Sequence, residues 1–135
     1  MDTIPDLRSY GGADAYLRNC NSRAVLDFLS SKWVCLTVGA LRPGTKRFGE
    51  LRRRLDGITQ KMLTRTLRDL ERNGLVHRAV YPSVPPRVEY SLTELGQNLA
   101  GLMDAIRAWS ETHMTDIQAA QASYDERATQ ELKPV

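Results

Sequence analysis

A chain of 135 residues can form one domain with a core of its own, and 41% hydrophobic with 26% charged residues suits a globular protein. Two cysteines, Cys20 and Cys35, are too few for a disulfide framework, and with only His77 and His113 beside them they show no metal-ligand spacing. The net charge of +3 is unevenly spread: from Lys46 to Glu89 eleven Lys or Arg residues face five acids, so this block is +6 and the rest of the chain −3, as expected if one region meets a polyanion.

The opening MDTIPDLRSYGG has neither the apolar core nor the cleavage pattern of a signal peptide, and no run of about 18 apolar residues spans a membrane. A cytoplasmic protein with no membrane partner is the expectation. Pro5 and Gly11-Gly12 mark residues 1 to about 13 as irregular, within an N-terminal arm taken as 1–19. Asn19-Cys20-Asn21-Ser22 precedes a helical pattern, SRAVLDFLSS, with Asn21 or Ser22 as N-cap and Val25, Phe28 and Leu29 as its core stripe. KWVCLTVGAL, Lys32 to Leu41, is apolar almost all round and reads as a short buried helix anchored by Trp33, with Cys35 as a small packed side chain. Arg42-Pro43-Gly44 breaks it.

RFGELRRRL, Arg47 to Leu55, is the next helix: Phe48, Leu51 and Leu55 are spaced for burial, and Arg52, Arg53 and Arg54 fan out. Asp56-Gly57 turns the chain. TQKMLTRTLRDLERNGL then places Leu63, Thr66, Leu67 and Leu70 on one stripe and Gln60, Lys61, Thr64, Arg65 and Arg68 on the other side, with no acid among them. Thr59 is placed to cap the first turn and Gly74 to end the last. Cations, an amide and a hydroxyl on one face are the groups that reach phosphates and base edges in a major groove, whereas a solvated surface helix is the plainer alternative. Two helices on a short turn fit a helix-turn-helix whose second helix reads DNA.

After Gly74 the period changes to two. Val76, Arg78 and Val80 alternate with His77, Ala79 and Tyr81; Pro82-Ser83-Val84-Pro85-Pro86 interrupts; Val88, Tyr90 and Leu92 resume. This predicts a two-stranded hairpin, a wing, with Arg87 the cation nearest its tip and a salt bridge to Glu89 as that residue's alternative role. From Thr93 a last helix carries Leu95, Leu99, Leu102, Ile106 and Trp109 at 4-3-4-3 spacing. Such a seam completes the core or pairs with its copy in a second subunit; pairing is favoured, because about 20 helical residues span about 30 Å. Residues 115–135, rich in Gln, Ala and Glu, read as weak helix or disorder.

SKWV at 31–34, RFGELRRRLDGITQKMLTRTLRDLERNGLV at 47–76 and VYPSVPPRVEYSLTELG at 80–96 resemble the HxlR-type winged-helix transcription regulators, which share their broad architecture with the MarR-type regulators. The resemblance implies a mainly α fold with a small β-hairpin wing, a winged helix-turn-helix dimerised through its terminal helices. Residues 1–19 would contribute to the dimer, 20–92 form the DNA-binding core, 93–114 the dimerisation helix and 115–135 the tail. It also implies a homodimer, expected to be a repressor, on a two-fold double-stranded DNA operator. Gln60, Lys61, Thr64 and Arg65 would supply base readout, Arg68, Arg52, Arg53, Lys46 and Arg87 would mostly position the protein on phosphates, and Thr59 and Arg47 belong to the same DNA-binding set.

Many members of that family carry a cysteine before the first helix of the common domain, which in several senses electrophiles or oxidants; Cys20 occupies this position, with Asn21 where a proline is usual. A helix N-terminus, with Arg18 and Arg23 close in sequence, favours the thiolate that oxidises or alkylates. An inert thiol near the dimer interface is the alternative, and a reversible ligand near Phe28, Trp33, Met103 and Trp109 is another input. No Ser/His/Asp set, paired carboxylates or glycine-rich phosphate loop points to an enzyme, and no cofactor is expected. A winged helix that binds only proteins is the competing function.

Overall fold

The computed structural model describes residues 13–131, so most of the arm at 1–19 and the last four residues of the tail lie outside the described residues. The elements run α1 (Asn21–Leu29), α2 (Lys32–Leu41), β1 (Lys46–Arg47), α3 (Phe48–Arg54), α4 (Gln60–Arg72), β2 (Val76–Tyr81), β3 (Arg87–Leu92) and α5 (Glu94–Glu131). This is a winged helix: a mainly helical body with a small antiparallel sheet.

The core is built on α2. Val34, Val38 and Leu41 are buried against Leu51 of α3, Leu63, Leu67 and Leu70 of α4, and Ala100 and Met103 of α5. Each of the larger of these side chains contributes about 1.5–3 kcal/mol by leaving water. Trp33 is only partly buried, packed against the outside of this cluster, and the fully buried Val38 and Leu41 anchor α2 instead.

Local chemistry sets the ends of the helices. Thr59 Oγ1 accepts from the Met62 N–H at 3.1 Å and starts α4. At its other end Gly74 adopts φ +76°, the Gly74 N–H donates to Glu71 O and the Leu75 N–H donates to Leu70 O at 2.9 Å. These two bonds form a Schellman motif, and they turn the chain directly into β2 with Leu75 buried beneath the helix end. Gly57, at φ +89°, makes the turn between α3 and α4. Thr93 caps α5: its Oγ1 accepts from the Gly96 N–H at 3.1 Å and donates to Gly74 O at 2.6 Å, which ties the start of α5 to the end of α4.

Four expectations need correction. The sheet has three strands, not two, in the order β1-β3-β2: Lys46 pairs with Tyr90 and Arg47 with Glu89, because the loop after α2 returns along the free edge of β3 and satisfies its backbone groups. Val25 is exposed, and α1 contacts the core only through Phe28 and Leu29, because it reaches the core at its last turn. The N-cap of α1 is Cys20, not Asn21 or Ser22. The last helix is longer than the expected length of about 20 residues: α5 runs unbroken from Glu94 to Glu131, so of the two readings of the tail, weak helix or disorder, residues 115–131 take the helical one.

Candidate nucleic-acid interface

The stripe Leu63, Thr66, Leu67 and Leu70 is consumed by the core, and this fixes the rotation of α4. Thr66 adds no unsatisfied group, since its hydroxyl donates to Met62 O at 2.8 Å. The opposite side of the helix is therefore turned outward: Gln60, Lys61, Arg65 and Arg68 are exposed and Thr64 is half-buried. Among the described residues the ion pairs involve Arg42, Arg87, Arg107 and His113, and none engages Lys61, Arg65 or Arg68. These charges are left for an outside anion.

The other cations are placed differently. Lys46 and Arg53, with Arg54, line a cleft of about 1170 Å³ between α3 and α5, across which Arg42 pairs with Asp104. Arg52 is exposed at the end of α3, and Arg47 is exposed on β1, its backbone N–H donating to Glu50 Oε1 at 3.0 Å. Arg87 is drawn back onto its own wing: Nε lies 3.2 Å from Glu89 Oε2, and the guanidinium sits 4.4 Å from the Tyr81 ring centroid. The strand register puts Arg78 opposite Tyr90 on the same sheet face as Lys46, and Arg78 is exposed with no acid partner among the described residues. Arg78 belongs to the basic block from Lys46 to Glu89, and the period-two alternation at 76–81 is the sequence signal that sets it on a face with Val76 and Val80.

Cys20 stands at the start of α1, half-exposed. The Asp14 N–H donates to its Sγ at 3.3 Å, and the Ser22 hydroxyl lies 3.1 Å from the sulfur. The Ser22 hydroxyl, followed by the backbone N–H groups of Asp14 and Ser22, lowers its pKa by stabilising the thiolate. These groups, and not the neighbouring arginines, are the cause. Cys35 behaves oppositely: burial against α5, with Sγ 3.5 Å from Met103 O, raises its pKa.

Of the seam residues, Leu95 (57%), Leu102 (55%), Ile106 (49%) and Trp109 (57%) are exposed, while Leu99 packs against the core. Val25 and Leu26 of α1 are exposed as well, and Leu26 lies across a groove from Leu102 and Ile106. Between α1, α2 and α5 runs a groove of about 630 Å³ lined by Leu26, Leu29, Cys35, Leu36, Met103 and Ile106. Among the described residues no cluster of His, Cys, Asp and Glu is placed to hold a metal ion, and no single helix is long and apolar enough to cross a membrane.

A helix-turn-helix whose second helix offers an unpaired basic face, followed by a wing, defines a DNA-binding transcription regulator of the winged-helix class. The chain belongs to the HxlR-like helix-turn-helix family, whose model matches residues 28–118. It is 44% identical over 115 residues to a helix-turn-helix-type transcriptional regulator from Methanothermobacter thermautotrophicus, covering 82% of this chain and 86% of that one. Among solved structures it is similar to the transcriptional regulator YtfH from Salmonella typhimurium, at 40% identity and a TM-score of 0.77 over 82% of this chain and 98% of that one. It is also similar to the redox regulator HypR in its oxidised form, at 45% identity and a TM-score of 0.63 over 69% of this chain and 96% of that one.

Proposed function

We propose that this regulator is a homodimeric repressor that binds a two-fold operator and lets go when Cys20 is oxidised or alkylated. The observation that carries the DNA half is the outward face of α4, cationic and without acid partners among the described residues. Gln60, Lys61, Thr64 and Arg65, in its first half, read base edges; Arg68, Arg52, Arg47 and Arg78 hold phosphates. Each phosphate contact releases counterions, so affinity falls steeply with salt. The dimer reading is supported by the exposed apolar stripe of α5 beside the exposed apolar residues of α1. The redox half is supported by a half-exposed thiol whose pKa is lowered and by a relative described as a redox regulator.

A gel-shift titration on DNA upstream of the protein's own gene, backed by genome-wide binding selection, tests this. It is run reduced and after diamide or a quinone, on wild type and Cys20→Ser. Specific binding that is lost only in treated wild type is the expected result. Binding that survives treatment in both proteins removes Cys20 from the mechanism. No specific site in either assay removes sequence-specific DNA binding. The apolar groove beside Cys35 favours a second reading of the input alone, a reversible apolar ligand that binds the DNA-competent and incompetent forms unequally.

A further inference from the structure

The tip of the wing is apolar and carries no charge. Residues 80–86 are all exposed, none is ionisable as an acid or a base near neutral pH, and Val84 at the turn is fully exposed. Pro82, Pro85 and Pro86 fix φ around it. Ser83 closes the turn: its N–H donates to Tyr81 O and its hydroxyl to Pro85 O, both at 2.8 Å. A tip held in this way gives up little conformational freedom when something covers it.

Arg87, the cation nearest that tip, is engaged behind it. Residues directly opposed on the two strands share a face of the sheet. Arg78 with Tyr90 and Val80 with Val88 take one face; Ala79 with Glu89 and Tyr81 with Arg87 take the other. Arg87 thus lies on the face opposite Arg78, where Glu89 and the Tyr81 ring hold its guanidinium. There it braces the two strands at the neck of the wing. Moving it to a phosphate would give up both contacts and leave the Glu89 carboxylate bare beside a polyanion. On the other face Val80, exposed, continues from Arg78 toward the tip.

The dimensions suit one part of a duplex. β2 leaves the end of α4 through the buried Leu75, so the hairpin starts beside the reading helix. The six residues of Val76–Tyr81 span about 20 Å at about 3.3 Å each. The minor groove next to an occupied major groove lies about half a turn away, about 17 Å of a turn of about 34 Å. That groove, about 6 Å wide, is too narrow for a helix but admits an aliphatic side chain. Its floor is open at A·T pairs and carries the guanine amino group at G·C pairs.

We infer that the wing meets the operator without charge: Val84 enters the minor groove beside α4 as an apolar wedge selective for A·T pairs, and Arg87 is a positioning residue that holds no phosphate. This rests on the DNA-binding reading above. It replaces the phosphate role that the family resemblance gives Arg87, and it adds a contact whose strength does not depend on counterion release.

Titrations of the full chain on the operator it selects, over a range of salt concentrations, test this together with hydroxyl-radical footprinting. Val84→Ser, at a position that touches no core, is expected to weaken binding by about tenfold with an unchanged circular dichroism spectrum. Its slope of log affinity on log salt stays that of wild type, and it loses protection of the minor groove flanking the α4 site. Replacing A·T by G·C in that flank weakens wild type, and inosine in place of the guanine restores binding because it lacks the amino group. Val84→Ser is indifferent to both changes. Arg87→Gln with Glu89→Gln, which removes both charges of the pair, keeps the wild-type slope, whereas Arg68→Ala lowers it by about one. If Val84→Ser binds and footprints like wild type, the wedge is overturned and the apolar tip is left for a protein partner. If the Arg87/Glu89 variant lowers the slope by about one, Arg87 holds a phosphate and the uncharged wing is overturned. A wild type with no specific site overturns the DNA-binding reading and the wedge with it.

Discussion

α4 and α5 are both threonine-capped helices with an apolar stripe and a polar side, yet their partners are reversed. In α4 the stripe is buried in its own core and the polar side is left open; in α5 Gly96, Ala100 and Met103 take the inward side and much of the apolar stripe is left open. The two open faces differ in chemistry: one is cationic and hydrogen-bonding, suited to a wet, charged duplex, and the other is apolar, suited to protein. Periodicity alone reports that a helix has two sides. What a side is for follows from which one the core has already taken.

Leucine truncation separates the helices most sharply. Leu63→Ala empties a fully buried site in α4 and should cost about 2–5 kcal/mol of folding stability, whereas Leu102→Ala on the exposed side of α5 should change monomer stability by less than about 0.5 kcal/mol. Urea unfolding at a concentration low enough to keep the chain monomeric measures both, and equal losses would put Leu102 in the core. Arg65→Ala should cost about 1–3 kcal/mol on the operator and less on random DNA, read from parallel titrations at one salt concentration. Equal losses on the two DNAs would make Arg65 a phosphate contact.

The caps offer a finer contrast. Thr59→Ala removes one bond, to the Met62 N–H, and should cost about 1 kcal/mol. Thr93→Ala should cost more in the same unfolding assay, because it also frees Gly74 O at the junction of α4 and α5. A Thr93 effect no larger than that of Thr59 would mean that the junction bond adds nothing.

The smallest effect concerns the thiols. Because the Ser22 hydroxyl lowers the Cys20 pKa while burial raises that of Cys35, alkylation by iodoacetamide should rise with pH at a lower midpoint for Cys20 than for Cys35. Ser22→Ala withdraws the main donor to the thiolate, so the Cys20 midpoint should move up. A midpoint that stays put would exclude Ser22 as the cause.

Much of the molecule is legible in its sequence. Thr59, Gly74 and the leucines between them bound α4, and 47–76 together with 80–96 carry the family resemblance, because caps, turns and amphipathic periods are local properties of the chain. The inward stripe of α4 is unambiguous because its leucines leave one apolar side only. Arg87 is harder: its two roles, toward DNA or toward Glu89, use the same charge, and its pairing with Glu89 and Tyr81 depends on how the two strands meet.

The rest is settled by contacts between elements distant in sequence. Lys46 and Arg47 form a strand only because β3, far along the chain, offers them a free edge at Glu89 and Tyr90. Leu99 and Leu102 are both seam positions, but the rotation of α5 against α2 packs one, half-buried, against the core and leaves the other exposed. Gly96 is dictated by a similar approach: a Cβ there would collide with the Leu75 carbonyl oxygen, so only glycine lets α5 pass the end of α4. Sequence determined the helices, the two hairpin strands and which residues share a face, since those depend on a few neighbouring bonds. Tertiary structure alone decided which face meets a neighbour and how closely, since that depends on the shape of every other element packed against it.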